Sequence, residues 1–421
     1  MASSTAGPLA DQVSEDRIWH GLMELAEFAE PGMQGWTRRV FSPQYQASRE
    51  FTGGLMEAAG LEVSLDPAGN LIGRSPGRDP GLPALVLGSH TDTVAGGGRF
   101  DGMVGVLAAV EVARVLTAAP LRHPLWVVDF LGEEPNRFGL SCLGSRAVTG
   151  HLSPANLQLQ DGSGSTLAEA LSQAGARPPD LGAAQWAPGA VHGYLELHIE
   201  QAKQLERAGA ELGVVSAIAG ISRAAIDLVG CADHAGTTAM EDRHDALLAA
   251  AEVVLGVDRL GRSGHGGEGV ATAGRLLIEP NAANVVPAHA QLVVEMRSTS
   301  PEWLRLTALE LEQLVGVAAR ARSVEAKLDW VSREPPVPCH PQVRSLLTRA
   351  AEKLGMGVIE VTSGASHDAA HIARIAPTGM LFIPSREGRS HCPEEWSEPA
   401  QVGLGARALL LGVLELDRVG L

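Results

Sequence analysis

Four short apolar runs punctuate the chain, at residues 84–87, 125–130, 194–199 and 380–383, and each gives way to polar residues. Their length suits strands of a buried sheet better than helices. Between the first two, residues 103–118 repeat Val, Leu and Ala on a helical period. Strand, loop, helix and strand in succession predict an α/β architecture, a central mixed sheet flanked by helices. Ligands of such sheets sit beyond the strands' carboxyl ends. His90 and the pair Glu133 and Glu134 fall at those places.

From about Gly213 the pattern changes. Residues 224–229 and 292–297 alternate like half-buried strands, and residues 245–255 and 301–319 have helical periodicity. This predicts a smaller α+β module of antiparallel sheet and two helices, inserted at 213–330 into a domain made of 1–212 and 331–421. The turn-rich segment 332–341, SREPPVPCHP, cannot continue a helix and is expected to form the return linkage. Gly/Ser-rich stretches at 161–165 and 261–269 read as surface loops, and no internal repeat is evident.

Composition agrees with two packed domains. The chain has 421 residues, 45% of them hydrophobic and 19% charged, enough apolar material for two cores. A formal net charge of −16 repels phosphate backbones and anionic lipid, which argues against nucleic acid or a membrane as partner. A carboxylate-bearing substrate must then be held by a specific local Arg. Cys142, Cys231, Cys339 and Cys392 form no C-x-x-C pair, an arrangement suited to a reducing compartment. The first residues lack a basic-then-apolar leader, and no run approaches the roughly 18–20 apolar residues that span a bilayer. A soluble, cytoplasmic protein is expected.

Three segments carry candidate chemistry. In GSHTDTVAGGGRFDGMVGV, His90 and Asp101 flank a glycine-rich turn that lets both reach one ion, and Asp92 stands where it could orient the His90 ring. An ordinary polar turn remains the other reading. In DFLGEEPNRFG, Glu133 and Glu134 end an apolar run, where carboxylates are costly unless metal ions or shifted pKa values justify them. Both could equally point to solvent. In GYLELHIEQA, strand alternation puts Tyr194, Glu196 and His198 opposite Leu195, Leu197 and Ile199. His198, like His391 in SREGRSHCPEEWS, is by itself either a ligand or a satisfied structural histidine. Their coincidence at strand ends favours a metal centre.

The motifs GSHTDTV, GGRFDG, GEEPNRFG, HIEQ, DHAGTT, PNAANVVP and SHCPEE occur in this order over nearly the whole chain. In this the protein resembles the metal-dependent amidohydrolases of the aminoacylase and carboxypeptidase clan. The branch it resembles comprises N-carbamoyl-L-amino acid hydrolases, allantoate amidohydrolases and β-ureidopropionases; His198 stands where related peptidases usually place Asp.

The resemblance implies two divalent metal ions, zinc or else manganese, cobalt or nickel. His90 and His198 would hold one, Glu134 and His391 the other, with Asp101 bridging and Glu133 as general base. It further implies that His234 stabilises the transition state in a neighbouring subunit's site, so the inserted module serves as lid and dimerisation domain of a homodimer. Asn284 and Arg297 would bind the substrate carboxylate, and Gln201 and His367 would be further polar contacts. Asp368 lies in the same family segment as His367. Ala239 departs from the family's usual Pro, a change of turn more than of chemistry, and Cys392 offers either a soft ligand or a small apolar filler. Rival readings are an aminoacylase or dipeptidase acting on N-acyl amino acids or short peptides, and a non-catalytic metal-binding homologue. No G-x-S-x-G elbow suggests a serine hydrolase.

Overall fold

A computed structural model describes residues 6–263, 265 and 268–420. The four apolar runs form the middle of its central sheet: Leu125–Phe130, Ala84–His90, Val191–Ile199 and Thr378–Ile383 are successive neighbours, all parallel. Ala84–His90 is buried along its whole length, as is Thr378–Ile383. That is the pattern expected when a parallel sheet is covered on both faces. The first strand outlasts its apolar run because Gly88, Ser89 and His90 stay in register with Val128, Asp129 and Phe130. Antiparallel strands complete both sides, Leu71–Ser75 beside Leu125–Phe130 and Leu212–Ile218 beside Thr378–Ile383. The result is a mixed α/β fold with helices around a mixed sheet.

Helix Met103–Thr117 packs Val104, Leu107 and Val112 into the core formed with Leu85, Leu87, Leu195, Leu197 and Leu381. Helix Pro399–Leu416 adds Val402, Ala406, Leu409 and Val413. By length and mean hydropathy this last helix could cross a membrane, but it is interrupted by Gln401, Arg407 and Glu415 and 67% of it is buried inside the protein. Its apolar surface is used by the core.

The chain divides into two compact units, one comprising Met1–Ser216, Cys339–Val361 and His367–Leu421, the other Ala217–Pro338 and Thr362–Ser366. The second contains an antiparallel sheet in the order Glu325–Glu334, Gly220–Val229, His289–Ser298, Gly269–Glu279. Alternate residues Ala224, Ile226 and Leu228 face helices Ala246–Ser263 and Pro301–Ala321. Two local readings are corrected. Ser332, Arg333 and Glu334 continue a strand, since each pairs with the Gly220–Val229 strand, and the linkage starts only at Pro335. Residues 261–263 extend a helix and Gly269 starts a strand, while Gly264, Gly266 and Gly267 lie outside the described residues.

His371, only 4% exposed in helix Asp368–Ile372, has its pKa pushed down to about 3, because burial disfavours the imidazolium and Arg146, Arg374 and His151 repel it. An unfolded histidine titrates near 6.5, so between about pH 6.5 and 3 the unfolded chain binds a proton that the folded one refuses, and stability falls as pH drops through that window. Urea unfolding at pH 7 and pH 5 should show His371→Leu losing about 2 kcal/mol less than the parent over this interval. An equal loss in both proteins would contradict this account of His371.

Candidate metal centre

Because four neighbouring strands run parallel, their carboxyl ends share one edge of the sheet. His90 is the last residue of its strand, paired with Phe130, and Glu133 and Glu134 follow that neighbour within four residues. His198 pairs with Phe382 one strand further on, and His391 follows the Thr378–Ile383 strand. The loop between His90 and helix Met103–Thr117 brings in Asp101.

Asp101 is the centre of the cluster. Its Oδ1 lies 3.6 Å from His90 Nε2 and 3.2 Å from His198 Nε2, while its Oδ2 lies 3.2 Å from His391 Nε2. Glu134 Oε1 stands 3.3 Å from the same His391 nitrogen. Two ligand-type groups thus share one carboxylate: His90, Asp101 and His198, and Asp101, Glu134 and His391. All are buried except His391, whose side chain is 48% exposed. Glu133 Oε2 faces His90 Nε2 at 3.6 Å.

The rings are held with one nitrogen toward Asp101. His90 Nδ1 lies 3.0 Å from the Asp92 carbonyl and His198 Nδ1 lies 2.9 Å from the Ile199 carbonyl, so each Nδ1–H donates to backbone and each Nε2 turns inward. The Asp92 carboxylate stands 3.6 Å from the same His90 Nδ1 and also accepts the backbone N–H groups of Glu133 and Glu134, both at 3.1 Å. One side chain therefore sets both adjacent glutamates. Gly102 completes the loop with φ +74°, and a Cβ there would stand 2.4 Å from the His90 ring.

The electrostatics call for a cation. Burial raises the Glu133 pKa well above the usual carboxylate range, His90 opposes this, and Glu134, Asp368 and Asp92 add to it. Burial likewise raises Glu134. Burial also works against ionised Asp101, yet its histidine neighbours hold its pKa well below normal. Contact with Asp101 and Glu134 lifts the His391 pKa to about 11. The cluster thus retains protons where positive charge is required. Imidazole and carboxylate donors converging in this way fit divalent transition-metal ions, whose binding displaces those protons.

Other residues expected at the site fall as follows. Gln201 Nε2 donates to Asp101 Oδ2 at 2.6 Å and to Ser390 Oγ at 3.2 Å. His367 is buried, its ring centroid 4.6 Å from that of His198. Asp368 is fully buried and accepts the Ser145 hydroxyl at 2.5 Å. Cys392 joins neither ligand group.

His234, Asn284 and Arg297 belong to the second unit. Gly236 N–H donates to His234 Nδ1 at 3.0 Å, which leaves the proton on Nε2. Asn284 O accepts the Ala235 N–H at 3.0 Å. Arg297 Nε donates to Glu295 at 2.7 Å and its NH1 to the Gly364 carbonyl at 3.1 Å.

Sequence reasoning missed Cys142, Glu196, Ser390 and Glu395. Cys142 Sγ lies 3.4 Å from Glu133 Oε1, and Glu196 accepts hydroxyls from Ser89 and Tyr194 behind His198 at 2.8 and 2.9 Å. Only alternation along the His198 strand and the repeated glutamates of SHCPEE hinted at two of them.

Residues 86–415 match the model of peptidase family M20/M25/M40. The N-carbamoyl-L-amino acid amidohydrolase of Geobacillus stearothermophilus is 37% identical over 96% of this chain and 99% of its own. The enzyme of the same name from Paenarthrobacter aurescens is 38% identical over 96% and 98%. A crystal structure of AtUAH in complex with (S)-hydroxyglycine superposes with a TM-score of 0.88 at 33% identity, covering 97% of this chain and 99% of that one.

Gly102→Ala forces a methyl group against His90 and a left-handed backbone on alanine. It should lower stability by roughly 1–3 kcal/mol and reduce bound zinc after dialysis, measured by elemental analysis and thermal melting. Full zinc retention would show that the loop tolerates the ring's displacement.

Proposed function

The chain belongs to peptidase family M20/M25/M40, and on that premise we propose that it is a metal-dependent amidohydrolase removing the carbamoyl group from N-carbamoyl-L-amino acids. The observation that carries the reading is Asp101, with one carboxylate oxygen toward each group of ligands and Glu133 buried beside them. His90 and His198 would hold one divalent ion, Glu134 and His391 the other, with Asp101 between. Zinc suits these donors, as do manganese, cobalt and nickel. When bound, such a pair makes a water molecule acidic, lowering its pKa from about 15.7 toward about 7.

Glu133 takes a proton from the attacking water as it adds to the carbamoyl carbon. Its raised pKa suits a base that must also act as an acid near neutral pH. As the C–N bond breaks, Glu133 returns the proton to the departing amino nitrogen, and the carbamate released decomposes to ammonia and carbon dioxide. His234 donates from Nε2 to the developing oxyanion. Arg297, steadied by Glu295 and the Gly364 carbonyl, takes the substrate carboxylate with Asn284, supplying the local cation that a net charge of −16 makes necessary. Gln201 and His367 border the reacting centre.

The second unit then acts as a lid bringing substrate contacts to the metal centre, and His234 serves the site of a second subunit in a homodimer. Two other ureido acids, allantoate and β-ureidopropionate, belong to the same chemical class and enter the substrate panel.

Glu133→Gln should keep its zinc yet lose about 10²–10⁴-fold in kcat, followed as ammonia release from N-carbamoyl-L-amino acids; turnover near the parent's rate would end this assignment. A protein that releases acetate or amino acids from N-acetyl amino acids or dipeptides, but no ammonia from carbamoyl compounds, belongs to a different substrate class. Mixing inactive Glu133→Gln and His234→Ala chains should restore part of the activity. No recovery in verified mixed dimers would place His234 in its own subunit's site or outside catalysis.

A further inference from the structure

We propose that Glu395 and Ser390 are positioning residues that fix Asp101 through both its backbone and its carboxylate, and so set how tightly the centre holds metal. Glu395 is fully buried, and among the described residues no Lys or Arg pairs with it. Its Oε1 accepts the backbone N–H groups of Phe100 at 2.8 Å and Asp101 at 3.1 Å, reaching across almost three hundred positions of sequence. Its Oε2 accepts the Ser390 hydroxyl at 2.9 Å, and that same hydroxyl lies 2.8 Å from Asp101 Oδ2. The carboxylate thus grips the peptide on which Asp101 hangs, and Ser390 links it to the oxygen turned toward His391.

Two further features show that the chain is built around this contact. A Cβ on Gly98 would stand 2.2 Å from the Glu395 carboxyl group, so the glycine run makes room for the acid. Helix Met103–Thr117 has no side-chain cap at its own Gly102, and its first turn begins with Val104 N donating to Phe100 O at 3.0 Å. Glu395 supplies the missing anion at that positive end from a distant segment. A buried carboxylate without a cation is costly unless several donors satisfy it. Here two amides, one hydroxyl and a helix terminus do so, and all of them converge on Asp101.

The inference rests on reading Asp101 as a metal ligand. Outer contacts of this kind govern metal affinity by roughly 10–100-fold. In zinc-loaded full-length protein titrated with a chromophoric chelator, Glu395→Ala should weaken zinc retention tenfold or more. Glu395→Gln, which keeps an acceptor for both amides, should stay within about threefold of the parent. Ser390→Ala removes the hydroxyl that stands between Glu395 Oε2, Asp101 Oδ2 and Gln201 Nε2 but leaves both amide contacts of Glu395, and it should weaken retention severalfold at an unchanged melting temperature of the metal-free protein. That variant decides the matter if Glu395→Ala does not fold, and parent-like retention in it then overturns the proposal. So does parent-like retention in a folded Glu395→Ala, or equal loss in the Ala and Gln variants, which would assign the effect to charge alone. Asp101→Ala is the control: if it keeps both ions, the reading of Asp101 as ligand fails, whereas loss there with none in Glu395→Ala sinks the positioning role alone.

Discussion

The architecture depends on the cost of holding like charges together out of water. Asp101, Glu133 and Glu134 are all buried at one sheet edge, with Asp92 immediately behind them. Carboxylates so placed are tolerable only if positive charge stands among them. In the protein alone, the surrounding carboxylates raise the pKa values of His90, His198 and His391 against the effect of burial. The same donors offer a divalent ion a better arrangement, since one ion neutralises two carboxylates at once.

Geometry of that kind needs a rigid frame. Parallel strands provide it, because their carboxyl ends arrive side by side and the flanking helices bury both faces of the sheet. Several side chains of the cluster are then tied at a second point. His90 and His198 are fixed through Nδ1 to backbone carbonyls, and Glu133 and Glu134 through their amides to Asp92. Asp101 hangs on a glycine-rich loop with no ladder of its own, so its anchors come from Gln201, Ser390 and Glu395. The loop that lets Asp101 reach two histidine groups is also the part that requires most help from elsewhere.

The second unit follows different rules. Its antiparallel sheet is covered by helices on one face and alternates accordingly, which leaves polar residues on the other. Arg223, Glu295 and Arg297 share that polar side, with Glu295 between the two guanidinium groups. Glu295 thereby fixes two guanidinium groups in place on a protein whose overall field is negative. His234 Nδ1 accepts the Gly236 amide, which leaves its ring proton on Nε2.

The sequence by itself determined the parts that depend on local patterning. Short apolar runs marked the parallel strands, and alternation around His198 separated a polar face from an apolar one. The order of the motifs named a family and its expected ligands. Local patterning misled where pairing overrode turn-forming residues, as at Ser332–Glu334. Only the tertiary structure decided that the Asp92 carboxylate serves two glutamate amides and that Gln201 is bound to Asp101. It alone placed Cys142 beside Glu133 and Glu395 beneath the Asp101 loop. Those contacts join segments far apart in the chain, and hydrogen-bond partners at such separations leave no periodicity or spacing by which a sequence could announce them.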